Sequence, residues 1–402
     1  MSKRIAIVGG GAAGFFAAIN IKTKHPDYSV TILEQSNKLL SKVKISGGGR
    51  CNVTHACFEP KKLSKHYPRG ERFLLPLFQH FQPKDTIAWF EERGVSLKVE
   101  DDNRMFPSTD DSQTIIDCFM KECRKLKIPI QQHFRVSQLI NQNNGWEILN
   151  TAGDSFKADM VLIATGAVPA MWRLIESIGH TIVDPVPSLF TFNIKDPRIN
   201  DLPGSVFKHV QCKIAGTKIT SEGPLLITHW GLSAPSILKL SAFAARELAE
   251  RDYKFDILVN LCGAMSQEDV RAGLLEIINQ HPKKKIASVS PFEIPKRYWH
   301  NLINILEFKE DNTWSDIGKK QLNKLVEQLS NAQFSVDGKS TFKEEFVTAG
   351  GVSLEEIDKN TMESKKHTGL YFAGEVADID AVTGGFNFQA AWTTAWVVSE
   401  SV

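Results

Sequence analysis

The 402-residue sequence lacks most of the features that mark specialised classes of protein. Its six cysteines are scattered, with no Cys-x-x-Cys pair and no Cys/His cluster at zinc-ligand spacing, so neither a disulfide framework nor a metal site is expected. Reduced thiols indicate a reducing compartment, and the cytoplasm is the expected location. Positive and negative charges nearly balance, at 48 Lys+Arg against 46 Asp+Glu, so no net field attracts nucleic acid or an anionic membrane.

Long hydrophobic runs are also missing. No stretch of about 20 apolar residues occurs, so no membrane span is expected. The segment Ile5–Ile19 is apolar behind Lys3 and Arg4, as in a secretory signal, but four glycines interrupt it and no small-residue cleavage site follows. What remains is an ordinary globular composition, 42% apolar and 23% charged, in a chain long enough for two or three domains.

The first informative pattern is a glycine-rich turn directly after a short apolar strand. Residues 5–14 read Ile-Ala-Ile-Val-Gly-Gly-Gly-Ala-Ala-Gly, which contains a G-x-G-x-x-G match. In such a turn Gly9 permits the tight bend, Gly11 lets the backbone approach a pyrophosphate, and Gly14 lets the next helix pack on the strand. The helix predicted from about Ala12 to Lys22 directs its N-terminal N–H groups at the phosphates.

An acidic residue follows where the ribose of a dinucleotide is expected. Ser29–Leu33 is a second predicted strand, and Glu34 comes 20 positions after Gly14. A carboxylate there can hydrogen-bond a ribose hydroxyl and would repel a 2′-phosphate. The alternative is a glycine-rich βαβ turn with a surface glutamate, which the register of strand, turn, helix, strand and acid disfavours. This motif by itself does not separate FAD from NAD.

Two distant segments favour FAD. Residues 159–166 form a predicted buried strand ending in Ala-Thr-Gly, and residues 369–375 form another ending in a glycine and a carboxylate. A carboxylate at the carboxyl end of a strand can bind a polyol such as the ribitol of FAD. The helix predicted at about 388–398 directs its N-terminus at the flavin pyrimidine, where its dipole stabilises negative charge on the reduced ring. Glycines before it, including Gly385, let backbone N–H groups approach the same edge.

Four segments carry a resemblance to a known family. They are Ile45–Thr54, which reads Ile-Ser-Gly-Gly-Gly-Arg-Cys-Asn-Val-Thr, then Val347–Val352, and then 372–375 with 383–389. Across essentially its whole length the chain resembles a bacterial flavoprotein family that includes aminoacetone oxidase-like enzymes and a bile-acid dehydro-steroid reductase. The resemblance implies an α/β fold, in which a glutathione-reductase-like Rossmann FAD domain carries inserted β-barrel-like and helical subdomains.

The resemblance also implies a set of positions at or near FAD. Val136 matches the strand position whose backbone meets the adenine, and Ser41 stands where many members have a second basic residue, which leaves that phosphate contact to Lys42. Gly385, which precedes the predicted C-terminal helix, is expected near the flavin pyrimidine as well. The other implied positions are Gly9, Gly11, Ala13, Gly14, Glu34, Ser46, Gly47, Arg50, Asn52, Thr165, Gly166, Gly374, Glu375, Asn387 and Gln389.

The glycines at 47–49 have a physical rationale, because backbone can run against a flat ring only where no Cβ intervenes. Arg50 could then offer its guanidinium to a phosphate or a flavin oxygen, or it could be a solvated arginine on a surface loop. Cys51 has no second cysteine at redox spacing and is not expected to form a redox pair.

The predicted domains are discontinuous, with a boundary at the proline-rich Asp184–Pro187. Between the cofactor segments, Val206–Ile214 alternates apolar and polar residues like a strand, and Ser266 with Asp269 resembles a helix-starting capping box. The predicted division is an FAD-binding domain of residues 1–186 plus 348–402, a β-rich substrate domain of 187–262 plus 331–347, and a helical insertion of 263–330.

The leading hypothesis is an enzyme, an FAD-dependent oxidoreductase that acts on a small organic substrate by hydride transfer at flavin N5, with oxygen or NAD(P)H as redox partner. No second G-x-G-x-x-G is present, so no dedicated nicotinamide domain is expected, although transient NAD(P)H binding stays open. The alternatives are an NAD-dependent dehydrogenase and a flavoprotein that modifies tRNA. The near-neutral charge disfavours the second, and neither a nucleic-acid nor a membrane partner is expected.

No catalytic residue is assigned from the sequence. His229, in the loop Thr228–Pro235, is a candidate acid or base near neutral pH. A lone histidine beside a tryptophan is more often a structural hydrogen-bonding group.

Overall fold

The computed structural model describes residues 2–142, 145–340 and 347–402. The chain divides into two compact units, one of Met1–Val186 with Lys343–Val402 and one of Pro187–Phe342. The β-rich and helical insertions, predicted as two bodies, both lie in the second unit. The predicted return to the first domain at residue 348 comes two residues after 341–346, which are outside the described residues.

The elements are numbered along the chain. Up to the end of the first segment they are β1 (Arg4–Val8), α1 (Ala12–Lys24), β2 (Ser29–Leu33), α2 (Ser41–Gly49), β3 (Thr54–His55), α3 (Pro60–Ser64), α4 (Glu71–Leu77), α5 (Pro83–Glu91), β4 (Leu97–Val99), β5 (Arg104–Pro107), α6 (Gln113–Lys125), β6 (Ile130–Gln131), β7 (Val136–Gln142), β8 (Gly145–Asn150), β9 (Ser155–Ala158), β10 (Met160–Ile163), α7 (Pro169–Ser177) and β11 (Ile182–Ser188).

The second unit and the C-terminal segment follow. They contain β12 (Thr191–Asn193), β13 (Val206–Ile214), β14 (Thr220–Ile227), β15 (Gly231–Ser233), α8 (Pro235–Phe243), α9 (Ala245–Glu250), β16 (Lys254–Asn260), α10 (Gln267–Gln280), α11 (Lys296–Ile305), α12 (Lys319–Ser330), β17 (Ala332–Asp337), β18 (Lys339–Ser340), β19 (Val347–Val352), β20 (Leu370–Phe372) and α13 (Phe386–Ser401).

A five-stranded parallel sheet in the order β20-β10-β1-β2-β6 forms the centre of the first unit. Its inner strands are apolar and buried, as parallel strands covered on both faces must be. Because the strands are parallel, their carboxyl ends share one edge, where ligands bind in such sheets. The predicted α/β class with a Rossmann-type domain is confirmed.

Two helices that are apolar nearly all round, α1 and α13, form the core beside this sheet. The ring of Phe16 on α1 packs against Trp392 on α13 at 5.3 Å and against Trp89 at 4.7 Å between centroids. Such aromatic pairs add to the stabilisation from buried area alone. This packing fixes the two helix N-termini relative to the sheet.

The second unit is built on a seven-stranded sheet in the order β17-β16-β13-β14-β15-β12-β18. The outermost strands, β17 and β18, are consecutive in the chain and are joined through Gly338, so the sheet closes into a barrel-like form. Helix α10 is capped by Ser266, whose hydroxyl accepts from Asp269 N at 3.1 Å in the predicted capping box. The barrel strands and α10–α12 share one apolar core.

Candidate functional site

The site lies where β1, β2, β10 and β20 end. Gly9 follows β1, Glu34 follows β2, and Thr165 with Gly166 follows β10. Gly374 and its neighbour Glu375 come directly after β20. The parallel sheet therefore brings together predicted residues that are up to 366 positions apart (Gly9 to Glu375).

The glycines of the first turn have different neighbours. Gly9 has φ +119, and a Cβ there would lie 2.5 Å from the Ala164 carbonyl oxygen. A Cβ on Gly14 would lie 2.0 Å from the Gly9 carbonyl oxygen, so helix α1 packs on the turn only with glycine at that position. A Cβ on Gly11 would meet the protein only at 3.9 Å, an ordinary contact. The protein's own packing thus requires glycine at 9 and 14 but not at 11.

Glu34 is buried and braces this turn. Its Oε2 accepts a hydrogen bond from Gly10 N at 2.7 Å, and its Oε1 accepts from Ser36 N at 2.9 Å and Ser36 Oγ at 3.0 Å. A carboxylate has about four lone-pair positions, so one acceptor position is left beyond these three bonds.

Glu34→Ala is expected to weaken FAD retention by roughly 1.5–3 kcal/mol, the worth of a hydrogen bond to a charged group. The loss combines a ribose contact with the bracing of Gly10. Glu34→Gln is the matched variant, because it keeps the size and the acceptor oxygen but removes the charge. Equilibrium dialysis of FAD against both variants measures the effect, and unchanged affinity in folded Glu34→Ala would rule out the ribose contact.

Lys42 and Glu375 are joined in an ion pair across the site. Glu375 is the more buried partner, at 16% side-chain exposure against 54% for Lys42. A Cβ added to Gly166 would lie 3.6 Å from Glu375 Oε2, and one on Gly374 would lie 3.3 Å from the Cβ of Ala13. These five predicted residues therefore lie around the N-terminus of α1, where the helix dipole favours negative charge.

The glycine loop that follows leaves α-helical geometry within α2. Gly47, Gly48 and Gly49 all have positive φ, at +58, +68 and +85, which L side chains rarely adopt. Ser46 Oγ donates to the Val43 carbonyl at 3.0 Å. A Cβ on Gly48 or Gly49 would meet nothing within 4 Å. The loop therefore offers a stretch of bare backbone, as the flat-ring argument requires.

Arg50 lies in an acidic environment. Its Nη1 donates to Glu100 Oε1 at 2.6 Å and to Asp110 Oδ1 at 3.5 Å, and the guanidinium stacks 4.0 Å above the Phe106 ring. The hydrogen bond with Glu100 raises the pKa of the Arg50 guanidinium above its ordinary value. Neither acid was assigned a role from the sequence, since pairs 50 and 60 residues apart leave no local pattern.

Asn52 ties the start of α13 to the neighbouring strands. With its amide oriented so that both ends are satisfied, Asn52 Oδ1 accepts from Gly385 N at 3.0 Å and Nδ2 donates to Thr54 O at 2.9 Å. Gly385, with φ +91, is the residue immediately before the helix. This corrects one expectation: the Gly385 N–H is taken by Asn52, so any pyrimidine donors must be the next amides of the helix.

Two other predicted residues shape this region from within the protein. Asn387 Oδ1 accepts from Ala381 N at 2.9 Å, which closes the loop before α13. Gln389 is fully buried, and its Oε1 accepts from Thr54 Oγ1 at 2.6 Å and Thr86 Oγ1 at 2.8 Å. Both side chains hold the helix start in place. Val136, the predicted adenine position, begins β7.

The residues that brace the loop before α13 were not predicted from the sequence. Tyr67 Oη donates to the Phe386 carbonyl at 2.7 Å, and His55 Nδ1 donates to the Gly384 carbonyl at 3.0 Å. Arg69 forms an ion pair with the fully buried Asp380. An Arg and an Asp more than 300 positions apart carry no sequence signal of their pairing.

The two side chains singled out earlier for reactivity have contrasting surroundings. Cys51 is fully buried, and burial raises the pKa of its thiol to about 12, so it is an unreactive thiol at neutral pH. All six cysteines are free. His229 is exposed in the turn between β14 and β15 of the second unit. The described residues hold no group of three or more His, Cys, Asp or Glu side chains arranged for a metal ion.

A buried Ser–His–Glu chain lies near the start of β20, at the edge opposite the glycine turn. Ser364 Oγ accepts from the backbone N–H groups of Lys366 and His367, both at 3.0 Å, so it must donate to His180 Nε2 at 2.9 Å. His180 Nδ1 then donates to Glu356 at 3.0 Å. Ser364 is only 6% exposed, so this chain is a structural network and not a nucleophile site.

This network predicts how stability depends on pH. Burial lowers the pKa of His180 below 6.5; burial would raise that of Glu356, but hydrogen bonds from Lys366, Thr181 and His180 lower it from 4.5 to about 2. Both folded-state values lie below the unfolded ones, so the stabilisation is complete above about pH 6.5 and is lost as pH falls. We expect Glu356→Gln to flatten thermal stability between pH 4.5 and 2. If the melting temperature of Glu356→Gln fell with pH in this range as steeply as that of the wild type, this expectation would be contradicted.

Comparison with known proteins adds three findings. Residues 3–401 match the family described as "HI0933-like protein Rossmann domain". The chain is 26% identical to a 3-dehydro-bile acid delta(4,6)-reductase from Clostridium scindens, over 99% of this chain and 98% of that protein. It is 27% identical to a ribosomal RNA dihydrouridine synthase from Escherichia coli, over 98% of this chain and 97% of that protein.

A solved structure shows the same fold. The 3-ketosteroid-delta4-(5alpha)-dehydrogenase from Rhodococcus jostii aligns with a TM-score of 0.51 at 10% identity, covering 99% of this chain and 97% of that one. No helix among the described residues is long and apolar enough to cross a membrane.

Proposed function

Because this chain belongs to the HI0933-like protein Rossmann domain family, we propose that it is an FAD-dependent reductase of a carbon–carbon double bond conjugated to a carbonyl group. The broad class, an FAD-dependent oxidoreductase, agrees with the sequence prediction. The observation that carries the FAD part of the proposal is the pairing of a dinucleotide turn with a second bare-backbone loop. A Cβ on Gly11 in the turn, or on Gly48 and Gly49 in the loop, would be free of clashes with the protein.

The two curated relatives support the reaction class through their chemistry. A 3-dehydro bile acid with double bonds at positions 4 and 6 has those bonds conjugated to its 3-keto group. The uridine reduced by a dihydrouridine synthase has its 5,6 double bond conjugated to the 4-carbonyl. In both cases hydride adds at the carbon remote from the carbonyl and a proton at the adjacent one. We propose for this chain only the reaction that the two relatives share, and neither of their named substrates.

The residues of the site fit FAD. We propose that the turn and the N-terminus of α1 hold the pyrophosphate, with Lys42 nearby, and that Glu34 takes a ribose hydroxyl. Glu375 would bind the ribitol, and the backbone of 47–49 would cover the flavin ring. FAD supplies hydride transfer at flavin N5 when it is bound. The N-terminus of α13 then stabilises negative charge placed before it.

The reductant we propose is NAD(P)H, bound transiently. Reduction of a double bond requires two electrons from an external donor, and the sequence contains a single G-x-G-x-x-G turn. The earlier expectation that nucleic acid plays no part is not supported by the E. coli relative, whose name gives ribosomal RNA as the substrate of that protein. The RNA-modifying alternative, first considered for tRNA, therefore stays within the proposed reaction class.

The test is anaerobic. The purified protein is reduced with NADPH, NADH or dithionite, then mixed with a 3-keto-4,6-diene steroid and, separately, with uridine-containing RNA. We expect reoxidation of the flavin and a saturated product with one of these acceptors. Reduced flavin that reacts with neither acceptor, together with oxygen-dependent turnover of an amine such as aminoacetone, would identify an oxidase and overturn the proposal.

A further inference from the structure

Five lysines are concentrated on two segments of the helical part of the second unit. Lys283, Lys284 and Lys285 follow α10, and Lys319 and Lys320 open α12. All five side chains are exposed. We call this set the lysine platform.

Backbone hydrogen bonds tie the first segment to residues 312–315, a few residues before α12 begins. Ser315 N donates to the Pro282 carbonyl at 2.9 Å, Trp314 N to the Lys284 carbonyl at 3.1 Å, and Ile286 N to the Asn312 carbonyl at 3.1 Å. Beneath them, the fully buried rings of Trp299 and Trp314 stack at 6.0 Å between centroids. The lysines thus project from a fixed surface, and not from a flexible tail.

The charges of the platform are not neutralised within the protein. None of its five ammonium groups forms an ion pair within the described part of the chain, whereas Lys208 in the same unit pairs with Glu293 at 3.2 Å. Three acids lie between the two segments in sequence, Glu310, Asp311 and Asp316, and no ion pair of the described residues joins any of them to a platform lysine. Asp316 accepts from Thr313 N at 2.7 Å and Thr313 Oγ1 at 2.8 Å. That carboxylate is used to cap the short helix at 314–316.

The arrangement also works against the stability of α12. The first turn of this helix contains no acidic residue and begins with two lysines. Positive side chains at a helix N-terminus oppose the helix dipole, and the lysines at 283–285 add further positive charge beside it. Like charges that lie together on a rigid surface, and that lower the stability of the fold, are typical of a binding site.

We propose that the lysine platform binds the phosphate backbone of an RNA that carries the nucleobase substrate of this enzyme. The inference rests on the proposed function for the choice of RNA as the polyanion, since a uracil ring is one of the two acceptors that the reaction class admits. The near-zero net charge of the chain does not oppose it, because phosphate contacts depend on local charge.

The test uses the FAD-loaded protein and a fluorescein-labelled uridine-rich RNA hairpin of about 30 nucleotides, titrated at several salt concentrations. Lys319→Glu/Lys320→Glu is expected to weaken binding about tenfold or more and to reduce the salt slope by roughly 2. Its melting temperature is expected to be unchanged or higher, because acidic residues suit a helix N-terminus. Loss of binding with gain of stability cannot come from unfolding.

The matched control is Lys213→Glu/Lys218→Glu, which makes the same change in charge at exposed positions of the same unit. Its RNA affinity is expected to stay within about twofold of wild type. Equal affinity in all three proteins, or equal weakening in both variants, would overturn the proposal. Binding to phosphatidylglycerol vesicles in preference to the RNA would overturn it as well.

A neutralising variant, Lys283→Gln/Lys284→Gln/Lys285→Gln, covers the other segment, so the result does not rest on α12 alone. FAD absorbance and reduction of the small keto-diene are measured on the same preparations. If the RNA binds through the platform but no double bond is reduced, the proposed function fails and the docking site stands. If the double bond is reduced but RNA binding does not depend on the platform lysines, the proposed function stands and the docking site fails.

Discussion

Gly385→Val is expected to lose bound FAD, or to retain it with a more negative midpoint potential. Gly385 has φ +91, and a Cβ there would lie 2.5 Å from the Thr54 carbonyl oxygen and 2.7 Å from the side-chain amide of Asn52. Non-glycine residues in this region cost about 1–2 kcal/mol before any clash is counted. The clash moves the start of α13 away from Asn52, which displaces the helix N–H groups proposed to face the pyrimidine.

The control for this prediction is Gly153→Val. Gly153 also has φ +91, but a Cβ there would meet nothing within 4 Å, so the two variants share backbone strain and differ in the clash. Absorbance ratios give FAD occupancy, and dye-coupled titration gives the potential. Full occupancy and an unchanged potential in Gly385→Val would show that the glycine only connects a loop to a helix.

Gly11→Ala is expected to fold normally and still lose FAD affinity about tenfold or more, which is ~1.4 kcal/mol or above. The new Cβ would contact the protein only at 3.9 Å, so the fold provides room for it. A pyrophosphate approaching the backbone of the turn would meet that methyl group directly. The variant therefore separates a glycine required by the ligand from one required by packing.

Gly14→Ala provides the contrast, since its Cβ would lie 2.0 Å from the Gly9 carbonyl oxygen. It is expected to lower the melting temperature as well as FAD affinity. Thermal melts of the apoproteins and FAD titrations distinguish the two. If Gly11→Ala binds FAD like wild type, the pyrophosphate does not pass along the Gly11 backbone.

The elements set by local pattern could be predicted from the sequence. The strand Ser29–Leu33 and the strand Val206–Ile214 have the predicted bounds, because each depends on a short apolar or alternating run between turn residues. Helix α10 begins where the Ser266 capping box placed it. These features are decided within a few residues of chain.

Features decided by distant partners could not be predicted. Helix α13 begins at Phe386, two residues before the predicted start, because Gly385 takes a left-handed conformation held by Asn52. Asp184–Pro187 was interpreted as a proline-rich boundary, and the division between the two units falls at Val186–Pro187, but the strand Ile182–Ser188 that runs through it was not predicted. That strand belongs to a two-stranded sheet, where an edge tolerates proline.

The residues of the candidate site also divide into those set by a local pattern and those set by distant partners. The glycine turn and Glu34 follow a spacing that physical chemistry explains, so the sequence locates them. The environment of Arg50, by contrast, is made by Glu100, Asp110 and Phe106, which reach it through tertiary packing. For that reason the role of Arg50 was left open between a cofactor contact and a surface residue. The structure shows Arg50 in an ion-pair network with the two acids.

Whether this fold holds FAD is tested most directly by the identity of the cofactor in the purified protein. We expect a yellow protein with flavin absorbance, which on heat denaturation releases FAD, and not FMN, in a near one-to-one ratio. FAD is expected because the site includes groups for both phosphates and the adenosine ribose. A folded, colourless protein that cannot be reconstituted with added FAD would contradict this expectation.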